Sequence, residues 1–556
     1  RRSSDLKQMM FLLRENLISY DIIILLIKRI SYEEEYMADR VVLDALIPRE
    51  DFDIKDHNTV AAGRSKTTLS IPDLEFESFF FSAIRKPDFQ RETNEWDANK
   101  IVELVKSFIE GELIPAIILW RSSGNYIFVI DGSHRLSALS SWINDDYGDG
   151  QISLDYYGGE IPEEQKKIAQ DTRELINSKI GPFKDYKIAN RNPEKVPKYV
   201  ADRAKSLGAL ALQVQWVEGN SQKAEESFFK INQQAAPIHP TELMLIKSRK
   251  KASGVAGRAV IRSGTGHKYW SIFGEEKQKI IQNLAEEIHD LLFKPTYTTP
   301  IKTLDLPIGG KVFSNDGLTL VYETINIVNN IQDKNVDLIT EDITGDETIK
   351  YLKNTKKVLQ RINSIHPGSL GLHPIVYFYS MRGRHKIASY YAMLDFVMYL
   401  EKENRFNDFI KVRESMEDIL INYEFLVQQI VRKYRQSKGA YKNIKNYYIT
   451  VMDNLLIDKS IDDTIESIIN SKEFSYLKTA LKDEEEIKSK KFSKERKSLA
   501  FIVESIKNTN RCAICNGLLH RNSITIDHKE RKSDGGLATL ENAQLAHPYC
   551  NSTYKN

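Results

Sequence analysis

The sequence has few cysteines, no long apolar run and almost no net charge. Only three of its 556 residues are cysteine, too few for the disulfide framework of a small secreted protein. The longest apolar run near the N-terminus spans only Ile22 to Ile27, whereas a membrane span needs about twenty such residues and a signal peptide needs a longer apolar centre. We therefore expect a cytoplasmic protein without a membrane partner.

The charges almost cancel, because 79 Lys and Arg residues face 77 Asp and Glu residues and leave a net charge of +2. This total neither favours nor excludes a nucleic acid partner until the positions of the charges are known. With 41% hydrophobic and 28% charged residues, the chain has an ordinary globular composition. Its length exceeds what one hydrophobic core usually supports, so we expect several domains.

The pattern of apolar residues changes along the chain. Residues 5–50 carry them at helical spacing, which predicts one or two amphipathic helices. Short apolar runs follow, and two of them, Ile117–Trp120 and Tyr126–Ile130, flank a polar turn that predicts a β-hairpin. Residues 253–268 are basic and contain several glycines, which is typical of a connection, whereas residues 270–480 are mostly helical in period.

All three cysteines lie near the end of the sequence. They form Cys512-x2-Cys515 and His547-x2-Cys550. Two such pairs match a tetrahedral Cys3His zinc site, because each short turn can aim both of its ligands at one ion. Four protein ligands leave no open position, so we expect the zinc to be structural.

The loop between these pairs contains a β-type run that ends in Asp527-His528, followed by Gly535-Gly536, then Asn542 and, directly after the last cysteine, Asn551. Together with the zinc ligands, this order resembles an HNH endonuclease with the ββα-metal fold over residues 509–556. The resemblance implies that Asn542 fixes the loop that orients His528. Asn551 stands where histidine is common in the family, and it is a weaker, neutral metal ligand.

The same residues suit phosphodiester hydrolysis on chemical grounds. His528 is neutral near pH 7 and can accept a proton from water. Asp527 and Asn551 offer oxygen ligands to one hard cation, Mg²⁺ or Mn²⁺. The alternative is a zinc knuckle that binds nucleic acid without chemistry, with His528 an ordinary residue at a strand end.

A second motif, Asp131-Gly132-Ser133-His134-Arg135, follows the predicted hairpin and opens a helical run. A turn before a helix presents free N–H groups that can bind phosphate, Gly132 permits close approach, and Arg135 adds a positive fork. A solvated first helical turn is an equally simple interpretation.

The motif lies between Gln90-Arg91 upstream and Asn232 downstream. This order resembles the ParB/sulfiredoxin-like domain of GmrSD-type, modification-dependent restriction enzymes over roughly residues 70–250. The resemblance implies binding and hydrolysis of a nucleoside triphosphate, GTP or ATP, by these residues. Ser133 and His134 replace the two glutamines of the family motif, which leaves hydrolysis and the choice of nucleotide open.

A nuclease also needs cationic side chains for the DNA phosphates. One basic cluster precedes the zinc-binding segment and is predicted to contact DNA, with solvated linker charge as the alternative. It consists of Lys488, Lys490, Lys491, Lys494, Arg496 and Lys497.

These observations predict a multidomain α+β protein. The expected segments are 1–69 (N-terminal helices), 70–252 (a ParB/sulfiredoxin-like sensor), 253–487 (mainly α-helical), 488–508 (a basic linker) and 509–556 (the HNH nuclease). The expected function is an anti-phage endonuclease acting on phage or modified DNA, alone, as a homo-oligomer or with a companion defence protein. The alternatives are a nucleic-acid-binding regulator and a site-specific HNH nuclease that needs no nucleotide.

Overall fold

The computed structural model describes residues 40–50, 65–87, 90, 96–157, 159–235, 244–245, 247–312, 317–332, 338–435, 437–479 and 492–555, with the backbone alone for 232–235. These residues form two compact units, each described by itself. The first comprises the described residues up to Lys86, 96–155 and 160–228. The second comprises those from 229 onward, with short stretches at residues 87–91 and 156–159.

A six-stranded mixed sheet organises the first unit. Its order is β1-β3-β5-β4-β6-β2, in which β3 runs parallel to β5, β4 runs parallel to β6, and the β4–β5 and β2–β6 pairs are antiparallel. The strands are β1 (Arg49–Glu50), β2 (Thr68–Ser70), β3 (Ile84–Pro87), β4 (Ile117–Arg121), β5 (Ile127–Asp131) and β6 (Ala211–Val217).

The predicted hairpin is confirmed as β4 and β5, with Leu119 paired to Val129 across the antiparallel ladder. Asn125 adopts a left-handed conformation in the turn between them, which asparagine tolerates better than most residues. Apart from the half-buried Ile118, the apolar side chains of both strands are buried, so the hairpin lies in the core of this unit and holds the residues that follow β5 in place.

Helices surround the sheet. In α2, Asp97 caps the N-terminus by accepting a hydrogen bond from Lys100, and Ile101, Val105 and Phe108 recur at helical spacing on the buried face. The helices are α1 (Phe79–Ala83), α2 (Ala98–Ile109), α3 (Ser133–Asn144), α4 (Gln151–Tyr156), α5 (Glu163–Lys179), α6 (Phe183–Ala189), α7 (Lys198–Leu207) and α8 (Ser221–Ala235).

The helical prediction for residues 5–50 is wrong where the structure describes it. Residues 40–50 contain a short 3-10 helix, Asp44–Leu46, and β1. From Val41 to Ile47 every residue is buried, because the run is apolar on all sides except at Asp44, whose carboxylate pairs with Arg49 and Lys86. Residues 1–39 and 51–64 lie outside the described residues.

The second unit is mostly helical. Its α-helices are α9 (Ala252–Ile261), α10 (Glu275–Phe293), α11 (Gly317–Val328), α12 (Asp346–Ile362), α13 (Pro374–Tyr377), α14 (Ile387–Lys402), α15 (Phe406–Asn422), α16 (Glu424–Tyr434), α17 (Ser437–Leu456), α18 (Ile461–Ile469) and α19 (Lys494–Lys507). The predicted helical middle of the chain is thus confirmed. No helix within the described ranges is long and apolar enough to cross a membrane.

The interpretation of residues 253–268 as a connection is wrong. Most of this stretch belongs to α9, which is buried from Ala252 to Val260 and packs against α10, α11 and α12. Gly254 lets the helix pack against the Ser248 carbonyl, since an added Cβ would overlap that oxygen. This glycine therefore serves close packing, and Arg258 is buried against Tyr269 at 4.3 Å.

The C-terminal segment is a small hairpin of β7 (Thr525–His528) and β8 (Ala543–Ala546), followed by a π-helical turn, Cys550–Tyr554. It does not have a separate core. Leu518, Leu519 and Tyr549 belong to the same cluster of buried apolar residues as the helices α9 to α19. The helical region and the zinc-binding segment are therefore one folding body.

This shared core predicts that residues 509–556 are unstable when excised. Removal of the helices would expose Leu518, Leu519 and Tyr549, and each buried side chain of this kind contributes about 1.5–3 kcal/mol. We expect no cooperative unfolding transition for fragment 509–556 in the presence of zinc, and a clear transition for fragment 247–556, by differential scanning calorimetry. Equal zinc affinity and a cooperative transition for the short fragment would contradict the shared core.

Candidate active site and metal centre

Cys512, Cys515, His547 and Cys550 converge as the sequence predicts. All four are buried, and their ligand atoms lie within 4.8 Å of one another. Tetrahedral zinc with Zn–S bonds of about 2.3 Å would need sulfur atoms about 3.7 Å apart, which this spacing accommodates with a small contraction. Three thiolates and one imidazole are a donor set that suits zinc, so the residues fit a closed structural site.

The orientation of His547 also suits metal binding. Its Nδ1 lies 3.3 Å from the Cys515 sulfur, while Nε2 lies 3.0 Å from the carbonyl oxygen of Leu518. With the proton on Nε2 donated to that carbonyl, the Nδ1 lone pair faces the thiols. Burial lowers the pKa of His547, and a hydrogen bond from Cys515 lowers the pKa of the Cys512 thiol. Both effects favour the forms that bind a metal.

A buried arginine from α15 lies against this cluster. The Arg413 side chain is fully buried, and its Nη1 lies 3.2 Å from His547 Nδ1. Its Nε donates to Glu417 at 2.8 Å, and Nη2 donates to the Gly371 carbonyl at 2.9 Å. Burial alone would lower the pKa of Arg413, but Glu417 and then Cys515 raise it above its usual value. The guanidinium therefore stays charged and offsets the negative charge of three thiolates.

Glu417 connects the same helix to the backbone of the segment that carries the cluster, residues 509–556. Its Oε2 accepts a hydrogen bond from the Leu518 N–H at 2.9 Å, and its Oε1 accepts one from the Tyr377 hydroxyl at 3.0 Å. Leu518 also provides the carbonyl that orients His547. One ion pair of the helical region thus holds both the charge and the ligand geometry of the metal cluster.

The loop before α13 approaches the cluster closely at Gly371. This glycine has φ +61°, and a Cβ there would lie 2.4 Å from the His547 ring and 2.9 Å from the Ser523 hydroxyl. A side chain at this position would displace a ligand of the metal cluster. Nearby, the Tyr549 N–H donates to the Ser369 carbonyl at 2.9 Å, so the loop is bonded to the segment that carries His547 and Cys550.

Asp527 and His528 end strand β7. Consecutive residues of a strand point to opposite faces of the sheet, so the two side chains diverge, as the sequence predicts. Asp527 is buried and lies opposite Gln544 in the antiparallel register. His528 is half-buried, and among the described residues none hydrogen-bonds to its imidazole. A ring held at a strand end with both nitrogens available can accept a proton.

Asn542 joins the two ends of the loop between β7 and β8. Its Oδ1 accepts from the Glu530 N–H at 2.7 Å, and its Nδ2 donates to the Leu537 carbonyl at 2.8 Å. The Asn542 carbonyl also accepts from the Lys529 N–H at 2.8 Å. This residue therefore restrains the chain immediately after His528, and its role in orienting that histidine stays a prediction.

Asn551 follows Cys550, one of the four cluster residues, in the π-helical turn. Its Nδ2 donates to the Thr525 hydroxyl and to the Ile526 carbonyl, both at 3.3 Å. The side chain that the sequence predicts as a metal ligand thus bridges the turn to β7. This bridge places the amide of Asn551 beside the strand that carries Asp527.

Sequence reasoning missed two residues at Asp527. The Asp527 Oδ2 atom accepts hydrogen bonds from Gln544 Nε2 at 2.6 Å and from Lys555 Nζ at 2.8 Å. The cross-strand position of Gln544 could have been found from the hairpin pattern. Lys555 lies one helical turn after Asn551, which is the spacing that brings two side chains to one face.

In the first unit, the Asp131–Arg135 motif occupies the junction between β5 and α3. Gly132 has φ 99° and caps the helix, and a Cβ there would lie 2.6 Å from Ile117 Cδ1. Arg135 pairs with Asp131 and donates to the Pro115 carbonyl at 2.8 Å. The motif is therefore an ordered turn in which the Arg135 guanidinium already binds the Asp131 carboxylate and the Pro115 carbonyl.

Three other residues predicted for nucleotide binding, Ser133, His134 and Gln90, are buried. The His134 ring stacks on Trp96 with centroids 5.8 Å apart. Arg91 and the side chain of Asn232 lie outside the described residues.

The predicted basic cluster is partly described. Lys494, Arg496 and Lys497 lie in the first turn of α19, where Lys494 and Lys497 are exposed. The helix is attached to the core, because Ser498 and Ile502 are buried and the Ser498 hydroxyl accepts from the Ile301 N–H at 3.0 Å. Lys488, Lys490 and Lys491 lie outside the described residues.

The division of the chain into five segments stays a prediction.

Two family models match the chain. Residues 76–249 match the GmrSD restriction endonuclease N-terminal domain, and residues 512–556 match the HNH endonuclease. The chain has a GmrSD-type architecture. The two domains support a restriction-type nuclease, and the HNH domain implies a DNA substrate. The chain matches no curated protein and no solved structure.

The predicted resemblance to GmrSD-type enzymes is confirmed by these matches. The predicted α+β class, with a helical middle and a small HNH region containing a Cys/His cluster, is also confirmed. Strands β3 to β6 and the Asp131–Arg135 turn fall within the first match, whereas β1 and β2 precede it, and all four cluster ligands fall within the second.

The Arg413–Glu417 pair predicts that the protein is destabilised when only one partner of the pair is removed. Arg413→Met leaves the Glu417 carboxylate buried without its counter-charge, which costs about 3–5 kcal/mol in other proteins. We expect a loss of this size in the free energy of unfolding of the second unit, measured by urea denaturation with zinc bound, and faster transfer of zinc to a chromogenic chelator.

The matched control is Lys411→Met, which removes an exposed cation from the same helix and should change the free energy of unfolding by less than about 0.5 kcal/mol. Unchanged stability and zinc release in Arg413→Met would show that the ion pair does not support the metal cluster.

Proposed function

We propose that this GmrSD-type chain is an anti-phage defence endonuclease that hydrolyses DNA phosphodiester bonds with a divalent metal, by nicking or by full cleavage. The supporting observation is the zinc-anchored hairpin, which holds Asp527 and His528 at the end of one strand with their side chains on opposite faces. The Asn542 bridge restrains the loop that follows them.

His528 acts as the general base in this proposal. A neutral imidazole near pH 7 takes a proton from the attacking water, and the ring of His528 has no competing hydrogen bond among the described residues. The zinc cluster takes no part in this step. Its four buried ligands hold the hairpin and the π-helical turn together.

Asp527 and Asn551 would hold the divalent cation. A carboxylate and an amide oxygen suit Mg²⁺ or Mn²⁺, which prefer hard oxygen ligands. A cation at this position supplies positive charge for the phosphate and the departing 3′ oxygen. Two features support this role for Asn551: the cluster residue Cys550 beside it, and the hydrogen bond from its Nδ2 to the Ile526 carbonyl.

The N-terminal domain supplies the control of cleavage in this proposal, by sensing modified DNA, by binding GTP or ATP, or by both. The ordered glycine turn at the start of α3 supports a phosphate site, since first-turn N–H groups favour anions. The proposed nucleotide-binding residues are Asp131, Gly132, Ser133, His134, Arg135, Gln90, Arg91 and Asn232.

DNA binding is assigned to the basic cluster before the nuclease. The exposed Lys494 and Lys497, with Arg496, are its described members, and such cations bind DNA phosphates without regard to sequence. One nuclease site per chain cuts one strand, so a double-strand break requires a homo-oligomer, a companion protein or two successive nicks.

Substitution of the general base should abolish cleavage. We expect His528→Ala to lower the rate of DNA cleavage in Mg²⁺ or Mn²⁺ by about 10²–10⁴-fold, the contribution typical of general base catalysis. The measurement is plasmid nicking by protein with zinc bound. His366→Ala, which alters an exposed histidine of the same unit, should cleave normally. Intact cleavage by His528→Ala would instead favour a nucleic-acid-binding protein with a different or no catalytic site.

The sensor proposal predicts a nucleotide affinity that depends on Arg135. We expect Arg135→Ala to weaken binding of fluorescent GTP or ATP by about tenfold or more, since tenfold corresponds to ~1.4 kcal/mol. Arg191→Ala, which removes an exposed arginine of the first unit, is the control.

Cleavage of matched modified and unmodified phage DNA, with and without nucleotide, then identifies the trigger. Equal cleavage of all four samples would remove the sensor and leave a nucleotide-independent HNH nuclease.

A further inference from the structure

The ammonium group of Lys555 lies in a cage of oxygen atoms at the nuclease hairpin. Its Nζ donates to Asp527 Oδ2 at 2.8 Å, to the His528 carbonyl and, at 3.4 Å, to the Lys529 carbonyl. The Asp527 side chain is 7% exposed and that of Lys555 is 17% exposed. A surface lysine that paired by chance would keep most of its side chain in water.

The backbone of Lys555 is fixed at both of its polar groups. Its N–H donates to the Cys550 carbonyl at 3.1 Å, and its carbonyl accepts a hydrogen bond from the Arg531 guanidinium. Cys550 is a ligand of the metal cluster, and Arg531 belongs to the loop after His528. The ammonium is therefore delivered to Asp527 by the same turn that carries Asn551.

All three N–H donors of the Lys555 ammonium group are used within the protein. An ammonium group has three N–H donors, and three protein oxygens engage them. None of the three is left for a DNA phosphate in this arrangement. The oxygens that surround the ammonium, a carboxylate and backbone carbonyls, are of the type that hard divalent cations also prefer.

We propose that Lys555 is an internal cation that competes with the divalent metal for Asp527. The inference rests on the proposed function, in which Asp527 is a ligand of that metal. Two cations cannot share Asp527 Oδ2 without strong repulsion, so metal binding requires the Lys555 ammonium to leave the carboxylate. The lysine thereby lowers the metal affinity of the nuclease and keeps the buried carboxylate neutralised until the metal enters.

The test is a titration of the zinc-loaded full-length protein with Mn²⁺, followed by the decrease of the free-ion signal in electron paramagnetic resonance, without DNA. Removal of the competing charge in Lys555→Met should tighten Mn²⁺ binding by about tenfold or more, the factor that corresponds to ~1.4 kcal/mol. Lys532→Met, which removes an exposed lysine of the same loop region, should bind Mn²⁺ as the parent protein does. Adding Asp527→Asn to Lys555→Met should remove the gain.

Equal or weaker Mn²⁺ binding by Lys555→Met overturns the proposal, as does a gain that persists with Asp527→Asn. Zinc content and the thermal midpoint show whether each variant is folded. Lys555→Gln is the second variant if Lys555→Met is unstable, with the same expected direction. Because the titration needs no cleavage, a failure of the nuclease proposal is seen separately, as absence of nicking by the parent protein.

Discussion

The buried ion pair between Arg413 and Glu417 is the contact on which the nuclease end of the molecule depends. It connects one helix to a metal ligand, to the backbone of Leu518 and to the carbonyl of Gly371. A buried pair of this kind is stable only when its remaining hydrogen bonds are satisfied, and here the knuckle supplies several of them. The positive charge of Arg413 thus balances both the Glu417 carboxylate in its own helix and the thiolates of the metal cluster.

From this contact the positions of the reactive groups follow in sequence. The cluster holds Cys550, Cys550 precedes Asn551, and Asn551 bridges to strand β7. Strand β7 carries Asp527 and His528, and Asn542 closes the loop behind them. Each group is positioned by backbone or by a short hydrogen bond, so a hairpin of only eight paired residues is rigid enough to hold a site for chemistry.

The features that could be predicted from the sequence are those that depend on residues close together in the chain. Cys512 and Cys515 are close in sequence, as are His547 and Cys550, so their spacing alone indicated a shared ion. The hairpin of β4 and β5 also needed only local pattern. Arg413 could not be found in this way, because nothing in its own helix distinguishes an arginine that reaches a distant metal cluster. The glycines of α9 misled for a related reason. Gly254 is required by close packing against the Ser248 carbonyl, and in the sequence a glycine that serves close packing looks the same as one that confers flexibility.

Gly371 has a consequence for how such proteins can diversify. Its missing side chain accommodates the His547 ring, so the helical region and the knuckle are complementary at the level of single atoms. An exchange of nuclease modules between relatives with a boundary just before Cys512 would bring together surfaces that have not changed together. A boundary at the start of the helical region would transfer both surfaces intact. The part of the chain that would keep this fit on transfer is therefore the helices together with the nuclease.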